Sequence, residues 1–379
     1  MRYLLVLLMA LTIFSCSEKE EQISNSNILE SLSLEIDTVV VDPGDYLINL
    51  EATVDFAISE DQSILYQFNG LNDEVFEINI IDATLDAVYS FEREGPNGIG
   101  VNANNFQWLA PDNFSFGSIN SLGIFDQEGN KIKDISLGKN DLAGLPSAFE
   151  SNLYQRVKIT PEGKYALSVP QDEEGGLEGL YRVNLNTNKA KLIPIPAFDE
   201  IVRKFYLKLR AENVTSVFSD FVQQEIVNGK VLLTANSTSE TYVFDPKTAS
   251  INLVSFTHAL VPSKRAGDYS QALSSQEKFN EQRAEISQQI SFGKFMWDAG
   301  NKRYYRIATQ RKPSLDEKTP SRTITYLFSY DQQFNLTGER EMKEFTRPPI
   351  FPFFTDGKMY AIVNVDDELG FAVFTFNFN

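Results

Sequence analysis

One hairpin pattern, written six times, constrains this chain more than any other feature of its sequence. An apolar strand, a polar turn bearing Gly, Asp or Asn, and a second apolar strand recur as FAISEDQSILYQF from Phe56, FQWLAPDNFSFG from Phe106, VKITPEGKYALSV from Val157, QEIVNGKVLLTA from Gln224, FMWDAGNKRYYRI from Phe295 and PFFTDGKMYAIV from Pro352. Five of them are followed by a second signature, a strand ending in Asp or Asn: VFEINIID, LGIFDQEGNKI, LYRVNLNTNKAKLI, TYVFDPKTASINLV and YLFSYDQQFNLTGE. The sixth is followed by the terminal strand FAVFTFNFN. Asn228-Gly229 and Asp356-Gly357 carry the strongest turn chemistry, because both residues tolerate the positive φ of a two-residue hairpin.

Taken in pairs, the two signatures make a four-stranded antiparallel unit. The hairpin turns near Asp61, Asp112, Gly163, Gly229, Gly300 and Gly357 stand 51, 51, 66, 71 and 57 residues apart. Such gaps fit propeller blades of roughly 40–50 residues with insertions. The expected fold is therefore all-β, a six-bladed β-propeller over residues 34–379, with a β-sandwich or two separate sheets as the competing arrangement. Two stretches break the strand rhythm and are expected as helical insertions near 198–218 and 268–291. In the first, Ile201, Phe205 and Leu209 fall at helical spacing; in the second, a polar helix former has Leu273 and Phe279 as anchors. The last unit is one strand short, and Asp37 to Pro43 is placed to supply it, joining the two ends and removing an exposed edge.

Composition agrees with strands: 29 Phe and 15 Tyr suit a pleated, half-buried surface. A formal net charge of -18 repels phosphate backbones, so nucleic acid is not an expected partner. One Cys and one His exclude a disulfide framework and a multi-Cys zinc site, and no cofactor motif is found.

The N-terminus has the order of a secretory signal. Arg2 supplies the positive charge, Tyr3 to Phe14 the apolar stretch, and Ser15 the small residue before Cys16. About a dozen apolar residues are too few to span a bilayer, which takes roughly 20. The segment Leu11 to Cys16 resembles a lipobox, which makes residues 1–15 a signal peptide and Cys16 the expected site of lipidation by palmitate-type acyl chains. Residues 16–33 then read as the acylated Cys and an acidic, Ser- and Asn-rich tether. Ser17 and the acids behind it point to the outer membrane, with the body facing the periplasm or the cell surface.

The chain resembles bacterial lipoproteins of unknown function, common in Bacteroidetes, with a six-bladed propeller-like body. The resemblance rests on the lipobox and acidic start, the Glu94-Gly95-Pro96-Asn97-Gly98-Ile99-Gly100 loop, and Phe292-Gly293 leading to Trp297-Asp298 and Arg303-Tyr304-Tyr305-Arg306. It implies fold and location, and transfers no catalytic residues.

Candidate chemistry is sparse. The loop from Glu94 to Gly100 is not a phosphate-cradling G-x-G-x-x-G and is expected as a crossing between blades. His258 lacks the partners of a hydrolase triad and is expected to be structural or exposed. Asp172-Glu173-Glu174 and Asp366-Asp367-Glu368 read as solvated turns, although paired acids also serve glycosidic acid/base work. Propellers bind at a channel mouth, where Arg93, Trp108, Tyr154, Arg156, Arg306 and Arg347 are expected to read an acidic or carbohydrate ligand. The expected function is a non-enzymatic binding or scaffolding module of the envelope, contacting another envelope protein or a glycan. The alternative is an extracellular hydrolase or lyase using acids at the mouth.

Overall fold

The computed structural model describes residues 27–378 apart from 49, 212–213, 270–271 and 315–320. The expected signal peptide, Cys16 and the tether as far as residue 26 lie outside the described residues.

The described chain is all-β in its core, and six four-stranded antiparallel sheets follow one another along it. The first holds Thr53–Ile58, Ile64–Asn69, Glu74–Asn79 and Thr84–Ser90. The second holds Gln107–Leu109, Asn113–Gly117, Leu122–Phe125 and Lys131–Asp134. The third holds Lys158–Ile159, Tyr165–Ser168, Leu180–Asn184 and Lys189–Ile193. The fourth holds Val222–Val227, Lys230–Ala235, Thr238–Asp245 and Ser250–Val254. The fifth holds Ile290–Asp298, Arg303–Lys312, Arg322–Tyr330 and Leu336–Glu341. The sixth holds Ile350–Thr355, Lys358–Val365, Glu368–Phe378 and, as its outermost strand, Leu32–Val40.

Each expected hairpin forms the first two strands of one sheet. Asn228-Gly229 has φ of 48° and 70°, and Asp356-Gly357 has 48° and 73°, the left-handed pair that a tight hairpin turn demands. The Glu94–Gly100 loop is a crossing from the first sheet to the second, and Gly95 and Gly100 take φ of 97° and 98° there.

Both ends of the chain meet in the sixth sheet. Leu32–Val40 pairs antiparallel with Glu368–Phe378, in register from Leu32↔Phe378 to Val40↔Gly370. The closing strand thus starts earlier than the expected Asp37. Val41 still donates to the Leu369 carbonyl of the sixth sheet at 2.9 Å, and Asp42 passes to the first sheet, where its N–H donates to the Ala83 carbonyl at 2.8 Å. The expected tether is also corrected at its C-terminal end. Asn27 donates to the Glu339 carbonyl at 2.8 Å, and Leu29 and Leu32 are buried between the fifth and sixth sheets.

The core is six apolar clusters, one at each junction. Tyr66, Phe68, Phe106, Phe114 and Phe116 fill that between the first and second sheets. Phe353, Tyr360 and Phe371 meet Leu65, Phe76 and Ile78 where the sixth meets the first. Covering both faces of each sheet explains the aromatic content: broad rings fill inter-sheet space and bury large areas.

The first insertion differs from the expectation. Helix α1, Pro196–Lys204, is followed by an antiparallel pair, Leu207–Ala211 with Val214–Phe218, and not by further helix. The spacing of Ile201, Phe205 and Leu209 is a multiple of two, so it satisfies a strand as well as a helix. From Leu207 the chain alternates apolar Leu207 and Leu209 with polar Lys208 and Arg210, which is strand periodicity. The second insertion contains the expected helix, α2, Gln276–Ser287, capped by the Ser275 hydroxyl. Just before α2, Ala272–Leu273 pairs in parallel with Leu207–Ala211. Insertions leaving two successive sheets therefore join in one three-stranded mixed sheet.

Truncating Leu29, which is 0% exposed, to Ala is expected to cost about 2–4 kcal/mol by opening a cavity behind the closing strand. Ile36→Ala, in the same strand but 51% exposed, is expected to change stability by no more than about 0.5 kcal/mol. Chemical denaturation of the two variants checks the difference.

Candidate functional site

In each sheet the first strand presents one edge that no strand of its own sheet covers. Unpaired backbone groups there need partners, and side-chain amides supply many of them. Gln107 acts as a surrogate strand: it donates to the Ile159 carbonyl at 2.5 Å and accepts from the Ile159 N–H at 2.9 Å. Asn105 donates to the Val157 carbonyl and Gln224 to the Arg156 carbonyl, both at 2.8 Å. Gln62, in the first turn of the first sheet, reaches the Trp297 carbonyl of the fifth sheet at 3.0 Å. The first strands thus converge on a shared polar interior.

Four charges from four sheets enter that interior. Lys294 of the fifth sheet pairs with Glu225 of the fourth at 2.7 Å. Asp55 of the first sheet feels Lys158 of the third, Lys294 and Glu225. Lys294 keeps 47% of its side-chain exposure, so its ammonium is open to solvent beside Glu225. Desolvation pushes the Asp55 carboxyl above the usual carboxylate range, against the pull of Lys158, of the Phe56 N–H and of Lys294. For Lys294, desolvation pulls the pKa down, but Glu225 more than offsets it and the ammonium is held above its ordinary value.

Because strands alternate in direction, the connections between successive sheets share one end of the passage with the turns between second and third strands. Both insertions lie in such connections, so the cap they build stands at this mouth. Contacts agree with that placement: Tyr206 of the first insertion donates to the Glu173 carbonyl at 2.7 Å, and Arg203 approaches Asp172 at 3.6 Å. Here the acids Asp172, Glu173 and Glu174 build a turn. Asp172 accepts from the N–H groups of Glu174 and Gly176, and Glu174 pairs with Lys208 and Arg210. Asp366 and Asp367 form the turn before Glu368 with φ of 51° and 72°.

Of the expected mouth residues, the structure brings few together. Arg93 is held by Asp73 at 2.7 Å, stapling its own sheet's turn. Trp108 stacks on Tyr66 in the junction between the first and second sheets, and the Tyr154 hydroxyl accepts from the Leu137 N–H at 2.9 Å. Arg347 is exposed in the connection to the sixth sheet. Arg306 is a correction: it is 0% exposed and reaches no mouth. It sits in a second strand, covered by sheets on both faces, and donates to the carbonyls of Gly293 at 2.7 Å, Ser239 at 2.6 Å and Thr238 at 3.4 Å. Burial lowers its pKa to about 10. Arg156 is exposed in the connection before the third sheet, 3.9 Å over the Phe221 ring. Its neighbours there, Asp220 and Arg265, together with Asp55, Lys158, Glu225 and Lys294, were not anticipated.

His258 is buried among Phe256, Phe292 and Phe328. Desolvation, reinforced by Arg306, pushes its pKa down to about 4. Between pH 6.5 and about 4 the unfolded histidine binds its proton and the folded one does not. Stability is therefore expected to fall as pH drops through that window, by on the order of 2–3 kcal/mol at its acid end. His258→Leu is expected to flatten that part of the stability curve, measured by denaturant unfolding at a series of pH values.

Among the described residues, no group of three or more His, Cys, Asp or Glu side chains is placed to hold a metal ion. No described helix is long and apolar enough to cross a membrane. Comparison with known proteins places this architecture. A DUF4221 protein from Bacteroides vulgatus ATCC 8482 is similar over 92% of this chain and 99% of its own, at 14% identity and a TM-score of 0.63. A "putative exported protein" from Bacteroides fragilis NCTC 9343 is similar over 93% and 97%, at 10% identity and a TM-score of 0.52. A coronin WD40 domain from Toxoplasma gondii is also matched, over 86% of this chain and 70% of its own, at 10% identity and a TM-score of 0.41. No curated protein matches. The family profile described as "Domain of unknown function (DUF4221)" matches residues 25–341, and the chain belongs to that family.

Proposed function

We propose that this chain is a lipid-anchored envelope protein whose six sheets are the blades of a closed propeller, and that it acts as a non-enzymatic binding module. The observation that carries the binding reading is the convergence of Asp55, Lys158, Glu225 and Lys294, from four sheets, on one polar passage. A fold that needed only stability would fill this space with apolar side chains, because charges withdrawn from bulk water are costly. Two carboxylates and two ammonium groups suit a guest that carries charge of its own, such as a glycan with charged substituents or a segment of another envelope protein.

The order of junctions supports the ring. Every sheet shares an apolar cluster with the next, and the sixth shares one with the first. The anchor rests on the sequence before residue 27, where the apolar run ends at the single cysteine. The exported-protein description of the Bacteroides fragilis match points the same way. Two or three acyl chains, at about 0.8 kcal/mol per buried CH₂, hold a protein durably at a bilayer. The outer membrane is the proposed location, on the strength of Ser17 and the acids that follow.

The hydrolase or lyase reading has one observation in its favour. Asp55 is a carboxyl with a raised pKa inside a cleft, the condition of a general acid. Product formation from a polysaccharide or peptide panel, abolished by Asp55→Asn, would establish that reading in place of simple binding.

Calorimetric titration of the full chain against charged oligosaccharides and short peptides is expected to find a ligand. Lys294→Met is expected to weaken its binding by about tenfold, the scale of one lost charged contact. A wild-type protein that binds nothing across the panel would overturn the binding reading. Metabolic labelling with a palmitate analogue is expected to mark the wild type and not Cys16→Ala, which should also leave the membrane fraction. Label retained in Cys16→Ala would overturn the anchor.

A further inference from the structure

We propose that the mouth between the third and fourth sheets, beside the cap, is a site for an oxyanion, a carboxylate or phosphate group, held by Arg156 and Arg265. The proposal deepens the binding reading by naming a ligand chemistry, at a place distinct from the charges in the passage.

The first observation is that these two guanidinium groups are held in place and keep N–H donors to spare. Arg156 sits 3.9 Å over the Phe221 ring and, among the described residues, makes no hydrogen bond or ion pair through its side chain. The ring holds the guanidinium by a face contact and takes none of its N–H donors, which leaves them for bidentate recognition of a planar or tetrahedral anion. Arg265 donates through Nε to the Ile290 carbonyl at 2.7 Å, and its two terminal nitrogens have no partner among the described residues.

A second observation is the surplus of positive charge. Asp220, 5% exposed, is the acid within electrostatic reach of Arg156, Arg265 and Arg306 alike. Its oxygens are already taken by backbone N–H groups: those of Phe221 at 2.8 Å and Asn236 at 3.2 Å on one, and that of Ser237 at 2.6 Å on the other. One carboxylate thus faces three cations, in a chain of net charge -18. Desolvation lowers both mouth arginines' pKa values, with Asp220 opposing it. Arg156 is exposed and Arg265 half-buried, so an incoming counter-charge can reach both.

The third observation concerns donors without acceptors. The hydroxyls of Ser237 and Ser239, both 0% exposed, have no hydrogen-bond partner. They belong to the turn that receives the Arg265 N–H, at 2.8 Å, on the Ser237 carbonyl. Buried hydroxyls are rarely left unsatisfied, and they add donors to a neighbourhood already rich in them.

Inorganic phosphate and succinate, titrated separately into the detergent-solubilised full chain at low ionic strength, test the proposal, with sodium chloride as the ionic-strength control. At least one of them is expected to bind by calorimetry and to raise the melting temperature. Phosphate alone points to a phosphorylated ligand, and succinate alone to a carboxylated one. Arg156→Gln is expected to weaken binding by about tenfold, with Arg156→Lys recovering only part of it, because one ammonium does not reproduce a planar fork. Arg93→Gln, whose guanidinium is engaged by Asp73, should bind as the wild type does. Asp55→Asn should also retain anion binding, which separates this site from the passage. Arg156→Gln has no hydrogen bond to lose on folding, so it decides the matter even where Arg265→Gln fails to fold. The proposal falls if neither anion binds the wild type, or if Arg156→Gln binds both unchanged.

Discussion

The pairing of Leu32–Val40 with Glu368–Phe378 is the interaction on which the rest of the architecture depends. A row of sheets packed face to face has two unfinished ends, each with an exposed apolar face and an open backbone edge. Here one strand resolves several of those liabilities together. Its hydrogen bonds complete the sixth sheet, and Leu29 and Leu32 enter the junction between the fifth and sixth sheets. Val41 and Asp42 then carry the chain onto the first sheet. Residues more than 300 positions apart must therefore meet before the last junction forms. Closing so long a loop costs entropy, but the cost grows only slowly with length.

Once the sheets stand in this order, the first strand of each has nowhere to send its inner backbone groups except to its neighbours. Amide side chains answer that need at several places, with Gln107 satisfying both a donor and an acceptor of one residue. The resulting interior is polar because its walls are backbone edges. That polarity makes the charges of Asp55, Glu225, Lys158 and Lys294 tolerable there. Buried Arg306 is managed by the same means, through three backbone carbonyls and no carboxylate in direct contact. The aromatic junctions outside this zone keep the two environments apart.

The sequence makes the repeated hairpins, the Asn228-Gly229 and Asp356-Gly357 turns and helix α2 legible, because each is encoded by local periodicity or turn chemistry. It also announces a missing strand, although the strand begins at Leu32 rather than Asp37. The residues around Leu29 look like linker, since Ser and Asn surround them, and only contacts with the far end of the chain make them core. The misreading of residues 205–218 came from a spacing of four, which helix and strand share. The passage charges did leave a trace. Asp55 in TVDFAI, Lys158 in KI, Glu225 in VQQEIV and Lys294 in ISFGKFMWD each place a charge in the first strand of a repeat. Comparing the repeats position by position exposes them. Arg306 misled because a charged residue near a strand end looks accessible until the neighbouring sheets are in place.

Repetition gives a body of this kind nearly equivalent sectors, and a guest at its axis would find little to distinguish one from another. The joined insertions, linked by the parallel pairing of Lys208 and Leu209 with Ala272 and Leu273, set the third and fourth sheets apart from the rest. Whatever settles against that landmark meets a lopsided rim with one preferred orientation. Pairing between two connections thereby gives a repetitive body one distinguishable side.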